Sequence, residues 1–533
     1  LAQLSPQAHE LVGLAAVIGR AFTFEVLGRA SGGDEDTLVR SLDELWRRRI
    51  IREQGVNAYD FSHEKLREGA YAALHIAQRC LLHRRVAEAL EMVYAQTLDL
   101  VSGYIATHYE QAGLVEQAVT YYQRAAEAAQ RIYANAEALA LSQRALALLA
   151  MARPAPSQQE WQRTMSVQLY EQIGDILALT NQHDEARNAY QCALAQAAPS
   201  DWVRQAHLYR KLAQTWETQH HFEDALQTYS RAEAILDQAS AEASSAWWQE
   251  WIEIQSVRIL IHYWLAQVQE ITELVEKTRP VVERYGTQAQ RAAFFQNLYL
   301  MSLRRDRHVV SEETLGYARA ALAARQESGS ATEIAWARFL LGLAYLLYGD
   351  LDEVETHMQA ALAVGERAGD VTLQSRCLTY LTIVYRKGGQ VEETSRYASR
   401  SLTVATSRHL PEYIAMARAN QAWVAWRQGN LSEAQANARA ALEGWKDSQV
   451  VDYASYWNWT ALWPLISIAL AQDQRSEAIN YVRVLLAPQQ QALPDALRAT
   501  VEAATRSWDS GRRDAACAHL KQAAVLAEEL GYL

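Results

Sequence analysis

From residue 5 onward the apolar positions fall three and four apart, the spacing of one face of a helix. "LSPQAHELVGLAAVIG" supplies Ser5 as an N-cap, Pro6 at the first helical position and apolar residues at helical spacing after it. "TFEVLGRASG" predicts a second, short helix closed by Gly32 or Gly33. "DEDTLVRSLDELWRRRI" predicts a third, with acids in its first turn and arginines in its last, as the helix dipole prefers. The pattern then changes. "IIREQGVNAYDFSH" holds two short β-type runs around the turn Gln54–Gly55–Val56–Asn57, which reads as a hairpin. A long helix from His63 towards Val93 follows. Three helices and a hairpin over residues 1–93 describe a winged helix.

After about residue 100 the chain repeats itself. Gly349, Gly389 and Gly429 stand 40 residues apart, as do Glu353, Glu393 and Glu433, and Ala361, Ser401 and Ala441. Such a period belongs to helical-hairpin solenoids. In detail the units resemble the tetratricopeptide repeat. Leu341, Gly342, Tyr345, Gly349 and Ala361 fit its pattern, as do Ile173, Gly174, Asn181, Ala186, Tyr190 and Ala193. Ala118, Tyr122 and Ala125, and Ala225, Tyr229 and Ala232, carry it through other units. Small residues let two helices approach and the aromatic fills the hole beside them. Roughly eleven units are expected on this period. The step from Ala118 to Ala138 suits one extra helix rather than a pair, and "ALLAMARPAPSQQEW" (147–161) interrupts the array. The expected fold class is all-α: a winged helix over 1–93, first repeat helices over 94–150, and a superhelix over 151–533.

"FSHEKLREGAY" is similar to a segment in the winged helix of STAND-class regulatory ATPases of the NB-ARC and maltose-activator type. In those families a Met-His-Asp-like triplet opens a helix, and its histidine reaches the phosphates of bound ADP. Ser62–His63–Glu64 occupies that place, and only His63 carries the role over, since Ser62 replaces Met and Glu64 replaces Asp. The resemblance implies a signal-transduction protein, of the transcription-regulating kind, in which a nucleotide-binding domain works beside this chain. Independently of it, a helix start offers unpaired N–H groups to phosphate, and the alternative is that Ser62 caps the helix while His63 packs under the wing. No G-x-x-x-x-G-K-[ST], G-x-G-x-x-G, G-x-S-x-G or H-E-x-x-H occurs. The phosphate-binding domain is therefore expected upstream of Leu1 or on another chain, and no cofactor is expected in this one.

Charge narrows the partners. The net charge is −11, and residues 1–90 hold 12 Lys/Arg against 12 Asp/Glu. Affinity for nucleic acid and for membrane surfaces comes mostly from concentrated positive charge. DNA binding through Arg47–Arg49 is accordingly disfavoured, and no membrane association is expected. Cys80, Cys192, Cys377 and Cys517 lie far apart, which suits free thiols in a reducing cytoplasm. His220, His221 and Asp224 share a turn without a fourth ligand, so no metal site is expected.

Sixteen tryptophans require an account. In tetratricopeptide arrays the first helix of each pair lines the concave face. Registering the units on their small residues places Tyr263, Gln296, Tyr299, Trp336, Phe339, Arg376, Arg386, Trp423, Trp426 and Trp463 on it, with Trp457 and Trp459 just before the last helix. Glu171, Asp175 and Glu217 face the same way in earlier units. This predicts an aromatic groove set with arginines, suited to a protein, a peptide or a small-molecule effector. The competing account is that these rings fill wide gaps between helices. No nucleophile, base and orienting group emerge together, so the chain reads as a non-catalytic sensing arm. The alternatives are a free-standing scaffold and a DNA-binding regulator.

Overall fold

The computed structural model describes residues 3–55, 57–152, 156–238, 244–446, 456–488 and 490–533. Its described residues hold 26 α-helices and one small sheet, and the chain divides into two compact units, Leu1–Trp216 and Glu217–Leu533.

The first unit opens with α1 (Pro6–Ile18), α2 (Phe24–Ser31) and α3 (Glu35–Arg47), capped by the side chains of Ser5, Thr23 and Asp34. The Ser5 hydroxyl both caps α1 and donates to Glu44 Oε2 at 2.6 Å, tying the start of α1 to α3. The hairpin is β2 (Ile51–Glu53) and β3 (Ala58–Phe61), with Ile51 opposite Phe61. Val56 of its turn lies outside the described residues. A third strand, β1 (Ala21–Thr23), pairs with the other side of β3. At three residues it is too short for periodicity to signal. Buried Asp60 on β3 accepts from Arg52 Nε at 2.7 Å and Nη2 at 2.9 Å, which holds its carboxyl below the usual range.

The long helix expected from His63 to Val93 is two helices, α4 (Glu64–Ala72) and α5 (Ile76–Val93). Leu74 is buried beside α1, where Gly13 leaves room for it; a Cβ at Gly13 would stand 3.0 Å from Leu74 Cδ2. Placing Leu74 there takes the chain out of helical geometry. His75 then restarts it from an extended conformation, its Nδ1 accepting the Gln78 N–H at 3.3 Å.

Helix α6 (Leu98–Gln111) begins the repeats and meets α5 through two buried rings. His83 and His108 face each other Nδ1 to Nδ1 at 2.9 Å, and the Tyr71 hydroxyl lies 3.0 Å from His83 Nε2. One ring donates and the other accepts, so the bonded pair is neutral. Burial, with Arg79 nearby, pushes His83 down to about 4, and burial pushes His108 down to about 3. Unfolded histidines take up protons near pH 6.5 while the folded pair does not, so stability is fully present above that pH and is lost as pH falls towards 4. A melting series should therefore fall from pH 7 to pH 5, with a shallower slope for His108→Asn. Equal slopes would contradict the assignment.

The remaining helices are antiparallel neighbours. In the first unit α6 packs on Val115–Arg131, and Gln159–Leu179 packs on His183–Gln196. Between them Asn135–Met151 is the single helix that the short step from Ala118 to Ala138 implies, packed on both sides. Residues 153–155 of the expected interruption lie outside the described residues. In the second unit consecutive pairs include Ser245–Trp264 with Val268–Tyr285, Gln288–Arg305 with Glu312–Ser328, Ala331–Tyr348 with Leu351–Ala368, Val371–Lys387 with Val391–Ser407, and Pro411–Arg427 with Leu431–Lys446. Helices Trp459–Ala471, Arg475–Leu485, Asp495–Asp509 and Arg513–Glu529 complete it. Gly349, Gly389 and Gly429 take left-handed φ of 105°, 69° and 80° at successive turns, which is why the 40-residue period carries glycine. Ala361, Ser401 and Ala441 are fully buried at the equivalent seams. No helix among the described residues is long and apolar enough to cross a membrane.

Close approach between helices is exacting at Gly174, where a Cβ would stand 2.6 Å from Tyr190 Cε1. The Tyr190 ring cannot move aside freely, because its hydroxyl donates to Asp175 Oδ1 at 2.7 Å. Gly316, also in a helix, has nothing within 4 Å of that position. Gly174→Ala should cost about 1–3 kcal/mol of overpacking, only partly offset by alanine's helix propensity. Gly316→Ala should stabilise by about 0.5–1 kcal/mol. Opposite shifts of the melting temperature are expected from the same substitution.

Candidate functional site

On three helices of the second unit, residues at matching register converge. Tyr263 lies on Ser245–Trp264, Gln296 and Tyr299 on Gln288–Arg305, and Trp336 and Phe339 on Ala331–Tyr348. Residues three apart share a helix face, so successive pairs supply one wall after another. They line a cavity of about 420 Å³, to which the next helix adds Arg376 and residues further on add Tyr456.

The walls are held by named contacts. Trp336 and Phe339 meet edge to face, centroids 5.7 Å apart, and Tyr263 meets Trp264 likewise at 5.2 Å. The Trp336 indole N–H donates to Asp370 Oδ2 at 2.9 Å, while Asp370 Oδ1 caps the following helix through the Leu373 amide. The Arg376 guanidinium lies 5.3 Å from the Trp336 ring centre and 5.8 Å from that of Phe339, and its Nε donates to the Tyr413 hydroxyl at 2.8 Å. Arg304 stacks on Tyr263 at 4.5 Å and donates to its carbonyl. At the edge Arg325 pairs with Glu333 at 2.8 Å.

Arg386, Trp423 and Trp463 were expected on the groove, and the structure places them in the interior instead. Each is at most 1% exposed and, unlike the equally buried Tyr299 and Phe339, borders no part of this cavity. The physical reason is that the chain fills its own inner face. Just before the helix Trp459–Ala471, Tyr456 stacks on His308 at 3.9 Å and Trp457 packs on Tyr380 at 5.4 Å. Arg386 then lies between Trp423 and Trp459, at 5.7 and 5.2 Å. It donates to the carbonyls of Thr460 at 2.8 Å and Tyr532 at 2.9 Å, and burial pushes its guanidinium down to about 9. Trp426 is half-buried against Ala425, Ala434 and Ile468. Trp457 and Trp459 belong to this interior group. Residues 453–455, the start of the aromatic stretch that ends at Trp463, lie outside the described residues.

Sequence reasoning missed Asp370 and Tyr413, which orient Trp336 and Arg376, and Tyr456 with its partner His308. Asp370 had a signal: it stands 40 residues after Ser330, and both cap the first helix of a pair. Tyr456 had none, because its contact is made across about 150 residues.

The other candidates lie elsewhere. His63 is the N-cap residue of α4, with an exposed ring that makes no capping hydrogen bond, so neither capping by Ser62 nor packing of His63 under the wing is observed. Arg47 pairs with Asp43 and Arg48 with Glu44 on α3. In the first unit Glu171 is not an open acidic position: Lys211 at 2.6 Å, His207 at 2.9 Å and Arg204 all bind it. Against burial, those bonds and charges hold its carboxyl down at about 2. Asp175 binds Lys211 and Tyr190, and Glu217 accepts from Tyr229 at 3.0 Å. His221 pairs with Asp224 at 3.7 Å, and among the described residues no group of three or more His, Cys, Asp or Glu is arranged to hold a metal.

No protein-family model matches the chain. An uncharacterized protein of Rhizobium meliloti (strain 1021) is 35% identical over 120 residues, 22% of this chain, and the chain spans 12% of that relative's length. Among solved structures, Rap protein complexed with competence and sporulation factor is similar at a TM-score of 0.49 and 15% identity, covering 70% of this chain and 98% of that one. NprR in complex with its cognate peptide NprX gives 0.45 and 12%, covering 67% and 99%. A STAND protein with a tetratricopeptide repeat sensor from Pyrococcus horikoshii gives 0.41 and 14%, covering 91% of this chain and 63% of that one.

Proposed function

We propose that this chain is the sensing and interaction arm of a signalling regulator, with no catalysis of its own. The observation that carries the reading is the convergence of Tyr263, Tyr299, Trp336, Phe339 and Arg376 on one cavity of about 420 Å³. That is within the size of a small-molecule site, and its lining, mostly apolar with a few polar groups, is that of one. The cavity takes an effector, and the ligand favours one arrangement of the repeats over another, as any ligand-driven shift requires. The N-terminal domain, read as a winged helix, passes that shift to a nucleotide-binding domain of STAND type, with His63 as its phosphate-facing contact. The exposed ring of His63 at an uncapped helix start supports this role. The regulated process on this reading is transcription, in the cytoplasm.

Effector binding is measurable as quenching of tryptophan fluorescence. Trp336→Ala should weaken it about thirtyfold, near 2 kcal/mol, as for a buried aromatic anchor. Trp426→Ala, on a seam away from the cavity lining, should leave it within a factor of two or so. A ligand that ignores Trp336 does not use this cavity.

A further inference from the structure

We infer that the cavity takes an uncharged, flat ring system carrying an N–H beside a C=O on one edge, and that Gln296 reads that edge; the inference rests on reading the cavity as the effector site. The helix Gln288–Arg305 lines the cavity with one stripe of residues: Ala292, Gln296, Tyr299, Leu300 and Leu303. Their spacing of three and four is that of a single helix face. Gln296 is the one carboxamide in the whole lining, and it is half-buried. Other glutamines of this helix are used by the fold. Gln288 donates to Glu327. Gln290 donates to the Gln249 carbonyl and to Glu253 Oε1, both at 2.9 Å, and its own oxygen accepts the Thr287 amide. Gln296 makes no hydrogen bond among the described residues. The charged residues of the lining are committed as well. Arg325 pairs with Glu333 at 2.8 Å, and Arg376 serves the Tyr413 hydroxyl and the rings of Trp336 and Phe339. Of the charged and carboxamide groups in the lining, Gln296 is the one whose donor and acceptor are both open, and it offers no charge for an ion to meet.

A carboxamide without partners in a mostly apolar wall carries a desolvation cost that leucine or methionine would not. A ligand removes that cost only by meeting both halves of the group. The Gln296 amide N–H donates to a ligand carbonyl, and its oxygen accepts the ligand N–H beside it. This is the two-point pairing by which glutamine reads a base edge. A trans peptide amide points its N–H and C=O to opposite sides, so one carboxamide cannot meet both. A lactam inside a ring holds them side by side. Flatness agrees with the walls. Trp336 and Phe339 stand edge to face, as do Tyr263 and Trp264, and such surfaces favour a planar partner offering its own face or edge. A system of two fused rings fits within about 420 Å³.

Four probes test this by calorimetry on the full chain: quinolin-2(1H)-one, its N-methyl derivative, quinoline-2-carboxylate, and N-acetyltryptophan N-methylamide. The lactam should bind about tenfold or more tighter than its N-methyl derivative, the discrimination of one two-point pair. The carboxylate and the tryptophan amide should both bind more weakly than the lactam. Gln296→Leu should bring the lactam to the level of the N-methyl compound. Gln296→Glu, which keeps an acceptor and loses the amide donor, should remove most of the difference. Gln296→Leu should melt no lower than the parent chain, because the carboxamide makes no bond within the fold. Equal binding of lactam and N-methyl lactam, or a preference that survives Gln296→Leu, overturns the role of Gln296. Tighter binding of the carboxylate overturns neutrality, and tighter binding of the tryptophan amide overturns the ring edge. Silence from all four at millimolar concentration overturns the ligand class. A sugar or peptide whose binding is lost in Trp336→Ala would leave the cavity as the effector site while removing this inference.

Discussion

Arg386→Ala should lower the stability of the second unit by about 3–5 kcal/mol, measured as a shift of the urea midpoint followed by tryptophan fluorescence. The side chain is 1% exposed, and its guanidinium bonds the Thr460 and Tyr532 carbonyls and touches Asn420 Oδ1 at 3.4 Å. Truncation leaves those acceptors buried and unmet, at about 1–3 kcal/mol each where nothing replaces the donor, and it leaves a void between two indoles. The cation itself is costly, since burial alone brings its pKa down to about 9. Arg386→Met, which keeps most of the volume and removes the charge, should therefore cost less than alanine. If alanine and methionine are equally harmful, hydrogen bonding dominates; if alanine costs under about 1 kcal/mol, Arg386 does not tie these segments together.

Trp457→Ala should have a similar effect on stability, about 3–5 kcal/mol, with a second consequence for binding. The ring is 1% exposed and packs on Tyr380, Tyr456 and Trp459, centroids 5.2 to 5.9 Å away. Removing it opens the inner face next to Tyr456, which is itself part of the cavity wall. The variant should unfold earlier and also bind its effector more weakly, because the wall has lost its backing. Trp457→Phe, which keeps a ring there, should recover most of the binding and about half of the stability loss. Unchanged binding in a strongly destabilised Trp457→Ala protein would separate the cavity from the packing of Trp457.

The seams were legible because they are local. Gly174 must admit Tyr190, and Ala361, Ser401 and Ala441 must each admit a neighbouring helix, so small residues recur at a fixed period. Gathering Tyr263, Tyr299, Trp336, Phe339 and Arg376 into one place needed only helical spacing and the register of successive pairs. Burial of Trp423, Trp463 and Arg386 was not legible. Helical spacing says which way a side chain points, and it says nothing about another segment arriving to cover it. Tyr456 and Trp457 cover this face from outside the local repeat, through contacts with His308 and Tyr380. The break between α4 and α5 was hidden for a related reason. Nothing in "AALHIAQRC" lacks helical periodicity, and the break comes from the seat that Gly13 leaves for Leu74.

Hydrogen exchange on the full chain, with and without the tightest ligand found by the fluorescence screen, tests the central claim most directly. Protection should rise in segments 258–264, 294–303 and 333–343 and around Tyr456, with little change over 98–131. Protection confined to the first unit, or spread evenly along both, would show that the aromatic cavity is not where the effector is read.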